Sequence, residues 1–215
     1  MRLNIGCGQS PTPGWRNYDN SLSLRFARTP RVSRLLGRVG VLSQDQLNFI
    51  DFARENEIHF GDAVRGLPLP TGSVEAIYSS HMLEHLDQRE AGLFLDEARR
   101  LLAPGGVIRI AVPDLARLVS LYLETQDADL FLTKTQLAAP RLRSFQARAA
   151  RALVGNRNHQ WMYDGASLCR MLSKHGFLQP QVKAAGETQM PDPGELNLHE
   201  RDWVSVYVEA EEATN

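Results

Sequence analysis

Cysteine is nearly absent: Cys7 and Cys169 are the only two in 215 residues, far apart and in no metal-ligand spacing. That excludes a thiolate zinc module and a disulfide framework, and two free thiols suit a reducing, cytoplasmic compartment. No apolar run approaches the ~20 residues that cross a bilayer, and the start of the chain carries one basic residue, Arg2, with no apolar stretch of signal-peptide length behind it. Neither a transmembrane segment nor a leader is expected. Internal repeats and low-complexity tracts are also missing, and a net charge of −1 offers no general attraction to nucleic acid. With 43% hydrophobic and 23% charged residues, the chain reads as one soluble domain spanning 1–215 with one sizeable core.

What is present begins at the second residue. Leu3-Asn4-Ile5 is a short apolar strand that runs into Gly6-Cys7-Gly8. Glycines there let the backbone turn sharply and expose amide N–H groups with no Cβ in the way, so a polar ligand can approach the main chain. A plain strand-ending turn fits the same residues. Pro11 and Pro13 in the next stretch rule out a useful helix, so a second strand follows almost at once, Trp15 to Asp19. An acid at the end of a second strand is placed to accept hydrogen bonds from ribose hydroxyls, although Asp19 also suits a turn or cap. Its spacing from Gly6 is short of the ~20 residues of a dinucleotide fingerprint, which argues against a nicotinamide cofactor.

Farther on, Ile58-His59-Phe60 leads to Gly61-Asp62-Ala63, where the carboxylate of Asp62 can accept from an adenine amine. Val74 to Ser79 is a strand opening into Ser80-His81-Met82-Leu83-Glu84-His85-Leu86, a titratable cluster at a strand's carboxyl end. Gln88 to Leu102 has helical periodicity, Pro104-Gly105-Gly106 stops it, and Val107 to Val112 is a β-branched strand. Helices are expected at Asp45 to Arg54, Leu115 to Thr125, about Phe145 to Leu153 and, capped by Asp164, Ala166 to His175. Short strands at Gln181 to Ala185 and Trp203 to Ala210 close the pattern, and 186–202 shows no evident element. Repeated strand–helix–strand units make a parallel, doubly wound α/β sheet.

Asn4-Ile5-Gly6-Cys7-Gly8, Asp19, Gly61-Asp62, Leu67-Pro68-Leu69-Pro70-Thr71-Gly72-Ser73, His81-Met82-Leu83-Glu84-His85-Leu86, Leu101-Leu102-Ala103-Pro104-Gly105-Gly106 and Gly176-Phe177 resemble, in order and spacing, the landmarks of class I S-adenosylmethionine-dependent methyltransferases. The resemblance covers Arg2 to Val112 closely and Trp161 to Phe177 loosely. It implies a Rossmann-like seven-stranded sheet, mostly parallel with an antiparallel last strand, and S-adenosylmethionine across the carboxyl ends of the first four strands. On that register Gly6, Cys7 and Gly8 lie under the methionine and ribose, Asp19 holds the ribose, Asp62 with Ala63 meets the adenine, and Ser80 or His81 flanks the amino-acid end. The chain departs from the family pattern at Ser10, where a third glycine is usual, and in lacking helices before the first strand and after the glycine turn.

Methyl transfer needs mainly alignment, so few catalytic side chains are expected. A hydroxyl acceptor benefits from a base, and the candidates are His81 and His159, with His85 beside them. The stretch after the fourth strand lacks the Asn/Asp-Pro-Pro-aromatic motif of enzymes that methylate amide or ring nitrogens, which favours O-methylation. His81-x-x-Glu84-His85 partly matches an acid-x-x-Glu-His cation site of some O-methyltransferases, yet ordinary supporting structure is the expected role, with no metal. Two inserts, about 20–57 and 115–160, are arginine-rich. Residues 20–44 and 138–160 carry five arginines each and no acid, so with −1 overall the rest of the chain is at −11. Segregated charge of this kind attracts an anionic partner, and two solvated amphipathic helices would show the same pattern. The expected acceptor is therefore a small molecule or glycan bearing phosphate or carboxylate groups, covered by 115–160 as a lid, and not nucleic acid. The alternative is a cofactor-sensing or partner-binding relative that does not turn over.

Overall fold

A computed structural model of the chain describes residues 1–21, 23–27, 29–40, 42–137 and 158–213. Seven strands form one sheet in the order β3-β2-β1-β4-β5-β7-β6. They are β1 (Arg2–Ile5), β2 (Arg16–Asp19), β3 (His59–Phe60), β4 (Val74–Ser80), β5 (Leu102–Pro113), β6 (Leu178–Lys183) and β7 (Ser205–Glu211). The pairs from β3 through β5 are parallel, whereas β7 runs antiparallel to both β5 and β6. This is the mostly parallel sheet with an antiparallel last strand that the sequence implies.

Side-chain alternation along the central strands builds two cores. Ile108, Ile110 and Val112 of β5 join Leu3, Ile5 and Ile77 on one face. Helix α4 (Gln88–Leu101) covers them with Ala91, Phe94, Leu95 and Ala98, the i, i+3, i+4, i+7 stripe of an amphipathic helix. Asp87 caps α4 by accepting from the Arg89 and Glu90 amides, and Glu90 returns the bond to the Asp87 amide, a reciprocal capping box. Phe94 and Leu95 are fully buried, which is worth roughly 1.5–3 kcal/mol each. The last α-helix of the chain, Gly165–Lys174, has its own box between Asp164 and Ser167 and adds Leu168 and Leu172 to this core.

The opposite face is covered differently. Ala76, Tyr78, Val107, Ala111 and Tyr207 pack against Trp15, Met190 and Leu196, with Leu198 at the margin. Three of these belong to the connection between β6 and β7, so the stretch 186–202, which has no helix or strand, is the layer that closes the sheet. A buried ion pair pins it there. Arg109 Nη1 lies 2.7 Å from Glu209 Oε1, both side chains are fully buried, and the guanidinium also donates to the carbonyls of Glu187 and Leu198.

Several boundaries differ from the sequence expectation. β5 begins at Leu102, because Leu102 pairs with Val74 and the two glycines let the strand bulge while Gly105 N and Gly106 O bond to Glu212. β7 is buried on both faces rather than alternating, since Val206, Val208 and Ala210 pack into the helix-covered core and Tyr207 into the opposite one. The first insert folds as α1 (Ser23–Ala27), α2 (Pro30–Arg38) and α3 (Gln44–Glu55). After β5 come α5 (Leu115–Thr125) and a short α6 (Ala128–Thr135), the latter started by the Asp127 side chain accepting from Leu130 N. Numbered with these, the helix Gly165–Lys174 is α7. The helix expected near Phe145 to Leu153, and the arginines from Arg141 to Arg157, lie outside the described residues.

Candidate functional site

β1 delivers the glycine turn to the carboxyl edge of the sheet. Gly6 has φ +74° and Gly8 φ +50°, left-handed conformations that side chains resist. Both Gly6 N and Cys7 N donate to the carbonyl of Tyr18, which ties the turn to the end of β2. The proline-containing stretch after it is held without a helix: buried Asn4 donates to Ser10 O and Thr12 Oγ1, and buried Asn17 exchanges bonds with Thr12 N and O. Two buried amides thus replace the missing helix as the support of the turn.

Asp19 ends β2 with its carboxylate facing this turn. Oδ2 accepts from Gly8 N at 3.1 Å and Oδ1 from Ser21 N at 2.7 Å. Burial raises its pKa above the ordinary carboxylate value, against the opposing pull of those two amides. Each oxygen keeps a further lone pair for a ligand donor. Cys7 is buried, and burial followed by the Asp19 charge pushes its thiol up, so it contributes backbone and bulk rather than a thiolate nucleophile. Across the edge, Asp62 follows β3, accepts from Val64 N at 3.1 Å and faces Arg65 at 3.3 Å, with Ala63 buried beside it.

β4 ends at Ser80, opposite Ala111 of β5, and there the backbone turns abruptly. His81 takes φ +49°, uncommon for any residue with a Cβ, and its amide donates to Ala111 O. The next residue, Met82, lies so close to the glycine turn that a Cβ on Gly6 would sit 2.6 Å from its Cγ. That contact places the titratable stretch directly beside the turn.

The tertiary structure then adds a residue from far along the chain. The amides of Gln160 and Trp161 both donate to Glu84 O, and the Gln160 side chain donates to His85 O. This clamp sets His159 against the one-turn 3₁₀ helix Leu83–His85. Glu84 is almost fully buried at 1% exposure. His81 Nδ1 lies 3.2 Å and His159 Nε2 3.9 Å from its Oε1. Neither carboxylate oxygen of Glu84 receives a well-aligned hydrogen bond among the described residues. The rings of His85 and His159 meet edge to face at 5.1 Å. Burial lowers the pKa of His159; Glu84 and a contact with the Thr135 backbone oppose this, and the His85 and His81 imidazoles reinforce it. His81 Nε2 shares a 2.9 Å hydrogen bond with Ser205 Oγ at the start of β7.

The structure therefore brings the predicted residues together in two groups. Gly6, Cys7, Gly8 and Asp19 form one, with Asp62 and Ala63 following the neighbouring strand; Ser80 and His81 at the end of β4, with His159 beside Glu84, form the other, and the two meet where Met82 packs on Gly6. Ser205 had no signal in the sequence, being an unremarkable serine 124 positions from its partner.

Residues 41–110 match a family model described as a methyltransferase domain, a span that takes in Asp62, the His81 to His85 stretch and most of β5. Among solved structures, the fold is similar to S-adenosylmethionine-dependent methyltransferases from three organisms. For Thermotoga maritima the identity is 16%, the coverage 99% of this chain and 82% of that one, and the TM-score 0.53. For Archaeoglobus fulgidus the values are 15%, 98%, 85% and 0.54. For Methanosarcina mazei they are 14%, 100%, 92% and 0.54. At such identities the structural likeness is one of fold. No curated protein matches the sequence. Residues 41–110 thus carry a methyltransferase-domain match, and the sheet around them has the fold of the S-adenosylmethionine-dependent methyltransferases. The described residues fit S-adenosylmethionine, the cofactor on which those neighbours depend. Among the described residues, and apart from its own chain neighbours, no atom lies within 4 Å of the place a Cβ on Gly8 would occupy, so the turn leaves room for a ligand against the backbone. The Asp19 carboxylate beside it is an acceptor suited to vicinal hydroxyls. No described helix is long and apolar enough to cross a membrane.

Proposed function

We propose that this methyltransferase methylates a hydroxyl of a small molecule or glycan that carries phosphate or carboxylate groups, in the cytoplasm. The observation that carries the reading is the buried imidazole–carboxylate cluster of His81, Glu84 and His159 beside the glycine turn. An amine acceptor, once deprotonated, needs no such group, whereas a hydroxyl is a poor nucleophile until its proton is accepted or its charge stabilised. Bound S-adenosylmethionine supplies a methyl group on a sulfonium, already activated toward attack. Gly6, Cys7 and Gly8 let it approach the backbone closely, their amides being engaged by Tyr18 O and Asp19 Oδ2; Asp19 accepts from its ribose, and Asp62 with Ala63 meets the adenine. Ser80 and His81 line its amino-acid end. His81, fixed between Ser205 and Glu84, and His159, whose amide is held by Gln136 O at the end of α6, are the side chains that handle the acceptor proton.

The charge pattern supports an anionic acceptor: 20–44 and 138–160, within the two inserts, carry five arginines each and no acid, against −11 on the rest. The two free thiols, Cys7 and Cys169, support the reducing compartment.

The test pairs cofactor calorimetry with transfer of labelled methyl to neutral sugars, sugar phosphates, nucleotide-linked sugars and simple amines. Label on the sugar-phosphate or nucleotide-sugar oxygens is expected. His159→Ala should lower kcat about 10²- to 10⁴-fold with cofactor affinity unchanged. Neutralising Arg141, Arg143 and Arg148 together should raise the acceptor KM and flatten its salt dependence. Label on amines alone would overturn the O-methyl reading. Tight cofactor binding with no transfer to any acceptor would leave a cofactor-sensing relative instead.

A further inference from the structure

We infer that Glu84, His85 and His159 form a binding site for one divalent transition-metal ion, of the zinc or cobalt type. Each side chain offers one ligand atom, and the three atoms lie within 4.8 Å of one another. A tetrahedral ion with ~2.0–2.1 Å bonds holds its ligand atoms ~3.4 Å apart, so side-chain adjustments of about 1 Å close the set. Two imidazoles and one carboxylate suit first-row ions of intermediate softness and not magnesium or calcium, which favour all-oxygen shells.

Two further observations point to a ligand. The first is the state of Glu84. A carboxylate at 1% exposure, with neither oxygen engaged in an aligned hydrogen bond among the described residues, is costly unless a positive charge compensates it. No described Lys or Arg pairs with it, only His81 and His159. The second is the orientation of His85. Its Nδ1 lies 3.3 Å from the carbonyl of Asn158, an acceptor only, which makes that nitrogen the proton donor and leaves Nε2 as the nitrogen with a free lone pair. A backbone carbonyl that fixes the tautomer is the usual outer partner of a metal-bound histidine. His159 is 7% exposed; its buried Nδ1 makes no well-aligned hydrogen bond among the described residues, and the Thr135 backbone joins packing and the clamp in holding the ring.

Three protein ligands leave a coordination position open to a substrate oxygen, the arrangement of ions that act on substrates rather than hold folds together. The site itself stands on this geometry. Its use, lowering the proton affinity of the acceptor hydroxyl, rests on the O-methyl transfer reading above. In that use His159 is a ligand, and His81 remains the free-standing imidazole.

The experiment strips the protein with chelator, dialyses it against Zn²⁺ or Co²⁺, and measures bound metal by mass spectrometry. The visible spectrum of the Co²⁺ form and the imidazole NMR signals of the wild-type chain are recorded alongside. One equivalent of tightly held ion is expected, with the His85 and His159 rings shifting and that of His175, which pairs with Asp96 elsewhere, unmoved. Glu84→Gln and His159→Ala should weaken binding about 100-fold or more, beyond the 10- to 100-fold that loss of an orienting partner alone costs. His175→Ala should bind as wild type. Absent uptake, or equal uptake by wild type and Glu84→Gln, overturns the site. If a variant fails to fold, the wild-type NMR decides, since metal that leaves the His85 and His159 rings unshifted also overturns it. Failure of the two readings is separable. Methyl transfer by protein that takes up no metal rejects the site and keeps the function, while stoichiometric uptake with no transfer rejects the function and keeps the site.

Discussion

Replacing Asp19 by Asn tests the cofactor wall with little change of shape. In the native chain both oxygens accept a backbone amide, Gly8 N at 3.1 Å and Ser21 N at 2.7 Å. The variant keeps one acceptor for Ser21 but turns an NH₂ toward the Gly8 amide, and it removes the negative charge offered to the ribose hydroxyls. A hydrogen bond to a charged group is worth roughly 1.5–3 kcal/mol, so affinity for S-adenosylmethionine should fall about 10- to 150-fold. Isothermal calorimetry measures this directly, with the product S-adenosylhomocysteine as a second probe and thermal unfolding as the check on folding. The pH dependence has a definite sign. Burial raises the Asp19 pKa above its ordinary 3.8. A carboxyl with a raised folded pKa adds stability only at low pH, and that stability is lost as pH rises through the folded value. Ribose donors favour the ionised form, so cofactor affinity should climb as pH rises through the raised pKa, with protons released on binding. In Asp19→Asn that climb should vanish. Unchanged affinity in the variant, or an acid limb that persists without the carboxylate, would refute the assignment.

Two other substitutions probe the framework. Gly6→Ala puts a Cβ 2.6 Å from Met82 Cγ at φ +74°, so cofactor affinity should drop more than tenfold; Met82→Ala in the same chain should restore part of it, and an Ala variant that binds normally would contradict the packing. Glu209→Gln leaves the fully buried Arg109 without its counter-charge, and breaking such a pair costs about 3–5 kcal/mol, measurable by urea unfolding; a loss under ~1 kcal/mol would mean the connection 186–202 is not anchored through this pair.

Local patterns carried much of this architecture. The apolar run Leu3 to Ile5, the glycine turn, the acid ending the next strand and the heptad-like stripe of Ala91, Phe94, Leu95 and Ala98 are each specified within a dozen residues, and each stands where its pattern predicts. So do the caps at Asp87 and Asp164, because a capping side chain bonds amides only two or three positions away. What the sequence could not disclose is contact between distant segments. Nothing in 186–202 marks it as the second covering layer of the sheet, since an irregular segment has no periodicity to show which side chains turn inward. His159 was legible as a titratable residue, but its place against Glu84 depends on the Gln160 and Trp161 amides finding the Glu84 carbonyl, a backbone pairing with no residue signature. The same holds for Ser205 beside His81. The sequence determined which chemical groups the chain has and the strand ends on which most of them stand. Only the tertiary structure decided that a histidine from beyond the fifth strand would share one buried carboxylate with the histidines that follow the fourth, because burial and long-range packing are properties of the assembled core.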